Sequence, residues 1–452
     1  MTTQTRRHFL KSATAAGLAF NAIPLLGAPA IERKHRTALI GCGWWGNNIL
    51  GEAMASADCK ITALCDVDQR LLNATAERVT RESGATPRKY RDFRTLLKEE
   101  YPDIVIVATP DHWHPLNTIE ALKHGAHVYV EKPICHTIQE GRAMVNAARR
   151  YLRVVQVGTH RRVSPHNVSA RNFILDGKLG KLGMVRSFVH YGGGPERPRR
   201  NVEPPKELDW DLWCGPAPFR PYNGDPDLSN PWNGAMHPRG FRQYLDYANG
   251  TLGDWGIHWM DQILWITGER WPRKVFSTGG RAIKGPPVFT ATEQTTDAPD
   301  HQVATFEFPT FTATWEHRQF SGNNAEKGES VGCYFYGEKG TLHIGWRDGW
   351  VFYPTDPKQP VIREAPLLHQ PDDQNIKQLW ADFLNAIKTG SKPVSDIAEI
   401  QRSTNMSLLG MMSLKLGRAI TWDGEKELCV GDAEANKLLS RKYRRGWDYP
   451  KA

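Results

Sequence analysis

Short apolar runs alternate with longer amphipathic stretches over the first third of the chain. The runs at 36–40, 60–65, 103–108, 127–130 and 153–158 have the length and residue content of strands. Four intervening stretches are compatible with helices, at 47–57, 69–83, 92–99 and 115–124. Strands that alternate with helices predict a parallel sheet covered on both faces. In such sheets, ligands bind at the carboxyl ends of the strands.

The pattern changes beyond the last of these strands. Residues 184–190, 301–308 and 311–316 alternate apolar and polar side chains, which is typical of antiparallel strands with one buried face. Residues 192–240 are rich in Gly, Pro and Trp and show little periodicity, so we predict long ordered loops there. Two amphipathic helices are predicted within about 374–419. The second part of the chain therefore belongs to another domain.

The first thirty residues have the organisation of a secretory signal peptide. Arg6-Arg7-His8-Phe9-Leu10-Lys11 precedes an apolar stretch from Ala13 to Leu26, and Ala28-Pro29-Ala30 resembles a cleavage site. The apolar stretch is too short and too interrupted for a transmembrane helix, so we expect no membrane span in the mature form. The paired arginines indicate a twin-arginine (Tat) signal, which exports folded proteins. We therefore expect a periplasmic or extracytoplasmic location; the alternative is an ordinary basic amphipathic segment.

Composition narrows the class of partner. The 452 residues are 40% hydrophobic and 24% charged, which suits a globular chain of two or more domains. The net charge is +9, of which three charges belong to residues 1–30, and no long basic run occurs, so nucleic acid is not an expected partner. Sixteen Trp and thirteen Tyr suit a carbohydrate pocket as well as an ordinary core. The seven cysteines form no CxxC pair, so we expect buried thiols rather than disulfides or a zinc site.

A glycine-rich turn follows the first predicted strand. In Gly41-Cys42-Gly43-Trp44-Trp45-Gly46, we expect Gly41 to allow the tight turn, Gly43 to let the backbone approach a pyrophosphate, and Gly46 to let the helix pack on the strand. Asp66 ends the second strand twenty residues later, where an acid accepts hydrogen bonds from ribose hydroxyls. Asp66 would repel a 2′-phosphate, so NAD is preferred over NADP, although Arg70 leaves NADP open. The alternative is a glycine turn and a solvated Asp without nucleotide.

Two further motifs follow strands of the predicted parallel sheet. Thr109-Pro110-Asp111-His112-Trp113-His114 comes after the third strand, and Glu131-Lys132-Pro133 after the fourth. Both lie where ligands collect in such sheets. We therefore expect a common group of cofactor-binding residues at this edge, namely Gly41, Gly43, Trp45, Gly46, Asp66, Pro110, His114, Glu131 and Lys132.

Together these motifs resemble the Gfo/Idh/MocA oxidoreductases, over residues 36 to about 420. The resemblance implies an α/β protein with an N-terminal Rossmann doubly wound parallel sheet. It also implies a C-terminal α+β domain with an open, mostly antiparallel sheet that faces the nicotinamide. In that family the lysine, here Lys132, contacts both the nicotinamide ribose and the substrate hydroxyl. The alternative for Lys132 is a surface cation before a turn proline.

The residue patterns also predict the domain boundaries. We expect the signal peptide at 1–30, the NAD-binding domain at 31–157 and the substrate-binding domain at 158–452. The helices at about 374–419 are expected to pack back toward the Rossmann domain. The basic tail, Arg441 to Arg445, is expected to lie on the surface or against a neighbouring subunit, and we expect a homo-oligomer.

The segment around Asp254 and His258 carries the candidate catalytic chemistry. On a helix, positions four apart share a face, so the acid and the imidazole are expected side by side, with Asp261 one turn later as a structural partner. The pair matches the family's DxxxH motif, in which the histidine accepts the hydroxyl proton as the hydride leaves. Imidazole suits this task because its pKa is near neutrality. Asp254 could instead bind a second sugar hydroxyl. A buried polar network and a metal site are competing interpretations of the three residues, although we expect no metal.

The segment Thr159-His160-Arg161-Arg162 follows the last parallel strand and is expected at the domain junction. We predict that His160, Arg161 or Arg162 binds substrate hydroxyls or a carboxylate; a solvated basic turn is the alternative. Lys132, Asp254 and His258 are the predicted catalytic residues.

These features predict an NAD(P)-dependent oxidoreductase that acts on the CH–OH group of a sugar, a sugar derivative or an inositol. An exported enzyme has no obvious pool of dissociable NAD, so we expect a tightly bound cofactor. The alternative is an NAD-dependent glycosidase that oxidises C3, eliminates the aglycone, adds water and restores the hydride, as in some exported relatives. A cofactor-free sugar-binding protein is a third, non-enzymatic interpretation.

Overall fold

The computed structural model describes residues 34–224, 228, 234–323, 329–368 and 375–451. The predicted signal peptide at 1–30 and the predicted domain boundary at residue 31 lie outside the described residues. From His35 onward the chain forms one unit by its internal contacts. Within that unit the strands form two large sheets and one short ribbon.

The first sheet contains six strands, all parallel. They are β1 (His35–Ile40), β2 (Cys59–Cys65), β3 (Arg88–Tyr90), β4 (Ile104–Val107), β5 (His127–Val130) and β6 (Val155–Val157). Their order is β3-β2-β1-β4-β5-β6, which confirms the predicted doubly wound sheet. The direction of winding reverses between β1 and β4, and ligands bind at such a switch point. The three-residue β3 was not predicted from the sequence.

Helices cover both faces of this sheet. They are α1 (Trp44–Ala55), α2 (Gln69–Ser83), α3 (Phe93–Glu100), α4 (His114–Lys123) and α5 (Ile138–Arg150). Alternate residues of β4 enter two separate apolar clusters, with Val105 and Val107 in one and Ile104 and Ile106 in the other. This is why the strand is apolar without alternation. Helix α5 was not predicted, although its capping box of Thr137 and Glu140 is a recognisable start signal.

The described residues of the second part of the chain form twelve strands. They are β7 (Leu182–His190), β8 (Arg199–Arg200), β9 (Lys274–Gly280), β10 (Glu293–Gln294), β11 (His301–Glu307), β12 (Thr312–Arg318), β13 (Val331–Gly337), β14 (Gly340–Gly345), β15 (Trp350–Pro354), β16 (Ile362–Glu364), β17 (Ile420–Asp423) and β18 (Leu428–Cys429). Ten of them form a sheet in the order β16-β15-β14-β13-β7-β12-β11-β9-β17-β18, and β8 pairs with β10. In the ten-stranded sheet, neighbouring strands are antiparallel, except that β7 and β12 are parallel. The mostly antiparallel sheet was predicted; the parallel pair was not.

Six further helices complete the described fold. They are α6 (Pro165–Leu175), α7 (Trp210–Cys214), α8 (Ile257–Thr267), α9 (Ile376–Thr389), α10 (Ile397–Leu416) and α11 (Ala433–Lys437). Helices α9 and α10 correspond to the two predicted amphipathic helices, and α10 ends at Gly417 with a φ of 65°. Helix α10 contacts α5 beside the first sheet, and α8 and β9 beside the second. It therefore contacts elements beside both sheets.

Three other expectations concern the chain as a whole. All seven cysteines are free and buried, as predicted. No helix in the described part of the chain has the length and apolar content that a membrane crossing requires. The basic tail packs on its own chain, because Arg441 donates to Glu140 and Arg444 donates to Asp211.

Candidate active site

The glycine turn after β1 has the shape that a dinucleotide requires. Gly41 has a φ of 101°, and a Cβ there would lie 2.6 Å from the backbone of Ala108. A Cβ on Gly46 would lie 2.1 Å from the carbonyl oxygen of Gly41, so only glycine allows α1 to pack this closely. A Cβ on Gly43 would meet no atom within 4 Å. The turn is therefore tight on the protein side and open at Gly43, where a pyrophosphate would approach the backbone.

A cavity of about 570 Å³ extends from this turn along the carboxyl ends of β1, β2 and β4. Asp66 lines it, with Oδ2 accepting from the Cys42 N–H at 2.7 Å and Oδ1 from the Asp68 N–H at 2.8 Å. Burial raises the pKa of Asp66 to about 6, against the lowering effect of these two hydrogen bonds. Trp45 and Pro110 also line this cavity. The shape and the donor and acceptor groups fit a dinucleotide with its ribose against Asp66.

His114 connects two of the loops at this sheet edge. Its Nδ1 lies 2.7 Å from the carbonyl oxygen of Pro133, and its Nε2 lies 2.7 Å from that of Thr109. Burial lowers its pKa to about 4 against the raising effect of the two carbonyl contacts, and a neutral ring donates to only one of the two carbonyls. His114 therefore lies between the Thr109 loop and the segment that carries Glu131 and Lys132. It also lines a second cavity, which adjoins the first.

A second cavity of about 560 Å³ adjoins the first, and Lys132 and His258 both line it. Trp44, Trp45 and Thr109 are among the residues that line both cavities. The Nζ of Lys132 donates to the carbonyl oxygen and to Oδ1 of Asp254, each at 3.0 Å. Two of its three N–H groups are thus engaged, which leaves one for a substrate oxygen.

The carboxylate of Asp254 does not pair with His258, contrary to the side-by-side arrangement that helical spacing predicts. Residues Leu252–Gly256 form a π-helical turn before α8, which displaces Asp254 from the expected α-helical phase. Its Oδ1 instead accepts from Lys132 and, at 3.2 Å, from Nε of Arg242. Burial alone would raise the pKa of Asp254, but the two cations outweigh it and lower the pKa. Asp254 therefore stays charged and holds the ammonium of Lys132.

His258 also lines this cavity and lies among aromatic rings. Its ring centroid is 5.0 Å from that of Trp346 and 5.2 Å from that of His160. Its Nδ1 is buried and has no hydrogen-bond partner in the described part of the chain. Burial, together with the nearby charges of Lys132 and Arg161, lowers the pKa of His258 well below its usual value. The imidazole is therefore neutral and keeps a lone pair on one ring nitrogen, but the same surroundings make it a weaker base than a solvated histidine.

The three predicted substrate residues lie behind the cavity wall rather than on it. His160 packs against His258, and the guanidinium of Arg161 lies 3.6 Å from the ring centroid of Trp346. Arg162 directs Nε and Nη2 to the carboxylate of Asp261 and Nη1 to Glu399, so its donors are occupied. The structure thus gives these residues a supporting position, because all three are at most 4% exposed.

Asp261 is a structural partner, as the sequence suggested. Besides Arg162 it accepts a hydrogen bond from Ser403 of α10 at 2.9 Å. Its carboxylate faces these groups, which contradicts the interpretation in which Asp254, His258 and Asp261 bind one metal ion. Among the described residues, no group of three or more His, Cys, Asp or Glu is placed to hold a metal.

Several cavity residues were missed by the sequence analysis. Some of them belong to segments without a recognisable motif. Others belong to a motif in which the sequence analysis gave them no role. The contributors are Asp111, Tyr191, Arg242, Trp255 and Trp346. No local signal indicates Arg242 or Trp346, because only the fold brings these loops to the carboxyl ends of the first sheet.

The segment between β8 and α8 forms part of the wall of the first cavity. Leu212, Trp213, His237 and Phe241 from this segment line it opposite the glycine turn. The Nε2 of His237 lies 3.0 Å from Oδ2 of Asp68, and both side chains are buried. Both halves of the chain therefore line the cavity.

Comparison with known proteins agrees with this architecture. The family model described as "Oxidoreductase family, NAD-binding Rossmann fold" matches residues 35–159. "GFO/IDH/MocA C-terminal domain" matches 222–343, and "Oxidoreductase family, C-terminal alpha/beta domain" matches 333–449. Together the three models cover most of the chain.

The curated relatives are partial matches. A "Glycosyl hydrolase family 109 protein" of Parabacteroides distasonis is 27% identical over 262 residues, which are 52% of this chain and 55% of the relative. An "Alpha-N-acetylgalactosaminidase" of Shewanella oneidensis is 26% identical over 202 residues, 39% of this chain and 44% of the relative. The chain thus spans about half the length of the curated relatives that it matches.

Solved structures share the fold at low identity. A levoglucosan dehydrogenase, in complex with NADH and L-sorbose, has a TM-score of 0.66 at 17% identity, covering 86% of this chain and 98% of that one. An aldose-aldose oxidoreductase from Caulobacter crescentus has a TM-score of 0.62 at 22% identity, covering 86% and 100%. The matched domains, the order of the first sheet and the two adjoining cavities lead to one conclusion: this chain belongs to the Gfo/Idh/MocA oxidoreductase family.

Proposed function

We propose that this chain oxidises a carbinol of a sugar, a sugar derivative or an inositol by hydride transfer to tightly bound NAD. The observation that carries the proposal is that Lys132 and His258 line one cavity, which adjoins the cavity beside the glycine turn. Bound NAD would supply the hydride acceptor. The aromatic rings of Trp255 and Trp346 suit the apolar faces of a sugar.

The chain's own residues then handle the proton of the hydroxyl group. Lys132, oriented by Asp254, donates its remaining N–H to the substrate oxygen. The neutral imidazole of His258 accepts the proton that the hydroxyl loses. In this proposal Lys132 and His258 are the catalytic residues, and Asp254 positions Lys132 instead of pairing with His258.

The test is to denature the purified protein, identify any released dinucleotide by mass, and titrate the folded protein with sugars and inositols. We expect NAD rather than NADP, because Asp66 lines the cavity, and we expect nicotinamide absorbance to rise stoichiometrically with substrate. Absence of any dinucleotide would support the cofactor-free binding protein instead. Light scattering on the same sample tests the expected homo-oligomer.

A second candidate is glycoside cleavage without net oxidation. The names of the curated relatives, a glycosyl hydrolase and an α-N-acetylgalactosaminidase, favour it. Such an enzyme would release the aglycone from glycosides without added NAD. A dehydrogenase would instead leave the glycosidic bond intact.

We also propose export through the Tat pathway, on the basis of Arg6 and Arg7. Cell fractionation tests this proposal. Replacing both arginines by lysine is expected to retain the protein in the cytoplasm.

A further inference from the structure

Asp111 is a buried carboxyl group to which the hydride transfer assigns no role. It begins the short helix Asp111–Trp113 after β4, is 5% exposed, and lines the same cavity as Lys132 and His258. Its Oδ2 is buried and has no hydrogen-bond partner within the described residues. Buried polar atoms are nearly always paired, so an unpaired carboxylate oxygen at a substrate cavity requires an explanation.

Among the described residues, three carboxyl groups line this cavity. Burial raises the pKa of Glu131 to about 7, and its backbone neighbour Lys132 donates an N–H to it. The other two, Asp254 and Asp111, have opposite electrostatic environments. Lys132 and Arg242 both hydrogen-bond to Asp254 and keep it charged. Burial raises the pKa of Asp111 to about 7; the charge of Asp254 adds to this rise, while Arg242 and Lys132 oppose it. Carboxyl groups whose pKa values are pushed apart in one site commonly divide the tasks of fixed charge and proton transfer.

Simple oxidation of a carbinol requires one base, and His258 supplies it. A second group that exchanges protons near neutrality is needed only when another bond to hydrogen is broken. The hydrogen on the carbon next to a new carbonyl is such a case, because the carbonyl stabilises the resulting enolate and a carboxylate is then a sufficient base.

We propose that Asp111 is a second acid–base residue of this cavity, which removes and returns the proton on the carbon next to the oxidised carbinol. This inference rests on the proposed sugar-oxidising function and favours its glycosidase form. With a ketone at C3, the Asp111 carboxylate takes the C2 proton and the C1–C2 double bond forms. The C1–O bond breaks, and the aglycone oxygen leaves with the electron pair and takes a proton from water. The hydroxide that remains adds to C1, and Asp111 returns its proton to C2, so one water is consumed per glycoside.

The experiment supplies the ketone directly, so that no hydride transfer is required. The holoenzyme is incubated in heavy water with methyl 3-keto-hexosides of gluco and galacto configuration. Exchange at C2 and release of methanol are followed by NMR. At saturating sugar, Asp111→Asn is expected to slow the exchange by ~10²–10⁴-fold, and Asp111→Glu is expected to retain part of the rate. Asp176→Asn, at an exposed carboxylate paired with Lys178, is the matched control and should exchange like the wild type.

The dissociation constant of the keto-sugar separates proton transfer from binding. If Asp111→Asn weakens binding but leaves the saturated exchange rate unchanged, Asp111 is only a binding residue and the proposal is overturned. Failure of the wild type to exchange either sugar also overturns it. Reduction of bound NAD by the parent methyl glycosides is measured on the same preparations. Normal exchange without any such reduction would overturn the proposed hydride transfer and leave the role of Asp111 intact.

Discussion

Burial and nearby cations keep His258 neutral, and among the described residues no acid is paired with it to favour the charged form. The ring is buried against Trp346 and His160, and the cations Lys132 and Arg161 disfavour a second proton on it. A neutral imidazole can accept the proton of a substrate hydroxyl. Because Asp254 is occupied by Lys132 and Arg242, the charge that forms on His258 has no carboxylate in direct contact.

Replacing His258 by Asn should remove this base while keeping a polar side chain of similar width. We expect the rate of nicotinamide reduction to fall by ~10²–10⁴-fold, with little change in the amount of bound dinucleotide. Single-turnover absorbance measures the rate, and His124→Asn, at the end of α4 and not among the residues that line either cavity, is the control. A loss of less than tenfold would contradict the assignment of His258 as the base.

The role of Asp111 predicts a pH dependence with a definite sign. The carboxylate is the active form, so exchange at C2 should rise with pH through about 7, the raised pKa of this group. Arg242, Lys132 and Asp254 are the charged groups that set this value. The rate is measured against pH at saturating keto-sugar; a profile that is flat across neutrality would contradict the prediction.

Individual residues were predictable from sequence where a local motif carries them. Lys132 in Glu-Lys-Pro and the spacing of Asp254 and His258 identified three residues that the fold brings to one region. Arg242 and Trp346 were not predictable, because neither belongs to a local pattern. Their positions depend on loops that reach the first sheet from far along the chain.

At the scale of elements, the turn between β1 and α1 shows why three glycines were recognisable. Gly41 and Gly46 are required by contacts within the turn, whereas Gly43 faces open space. The first two therefore serve the fold, and the third serves the ligand.

This difference predicts that two alanine substitutions affect different properties, namely the stability of the fold and the affinity for NAD. Gly46→Ala places a Cβ 2.1 Å from the carbonyl oxygen of Gly41, so we expect a loss of stability of about 1–3 kcal/mol, measured by denaturant unfolding. Gly43→Ala should leave stability unchanged and weaken NAD binding by about tenfold or more, measured by calorimetry. Gly84→Ala, at a helix end distant from the turn, is the control for NAD binding. Equal effects of the first two substitutions on unfolding would contradict the distinction.

Helix α8 was predictable as an element but not in its phase. The π-helical turn at Leu252–Gly256 rotates Asp254 toward Lys132, a change that side-chain periodicity does not reveal. Beyond this turn, Asp261 forms a buried pair with Arg162, which fixes α8 to the segment after β6. Breaking such a pair typically costs about 3–5 kcal/mol, so the pair supports the site through stability.

At the scale of the whole molecule, a segment from the second half of the chain forms part of the wall of the cofactor cavity. Backbone hydrogen bonds join the two halves, from Gln69 to Glu207 and from Asp209 to Val67, each at 3.0 Å. The buried contact of His237 with Asp68 adds a third connection. Contacts from this segment to a bound dinucleotide would slow its release, which suits an enzyme that keeps its cofactor through each turnover.

His237→Ala should therefore release NAD faster. Loss of about 1.4 kcal/mol of binding free energy corresponds to a tenfold faster dissociation, if association is unchanged. The rate is measured by displacement with labelled NAD after desalting. His124→Ala, at the end of α4, is the matched control and should release NAD at the wild-type rate. An unchanged rate in His237→Ala would show that this contact does not retain the cofactor.

The sequence by itself determined the alternation of strands and helices, the glycine turn, and the identity of Lys132, Asp254 and His258 as chemistry-bearing residues. These are local patterns, because helix and strand periods and turn requirements act over a few neighbouring residues. Only the tertiary structure decided which charges meet. The pairing of Asp254 with Lys132, the contact of His237 with Asp68, and the unpaired Oδ2 of Asp111 depend on packing between distant segments. Burial and hydrogen-bond partners are properties of that packing.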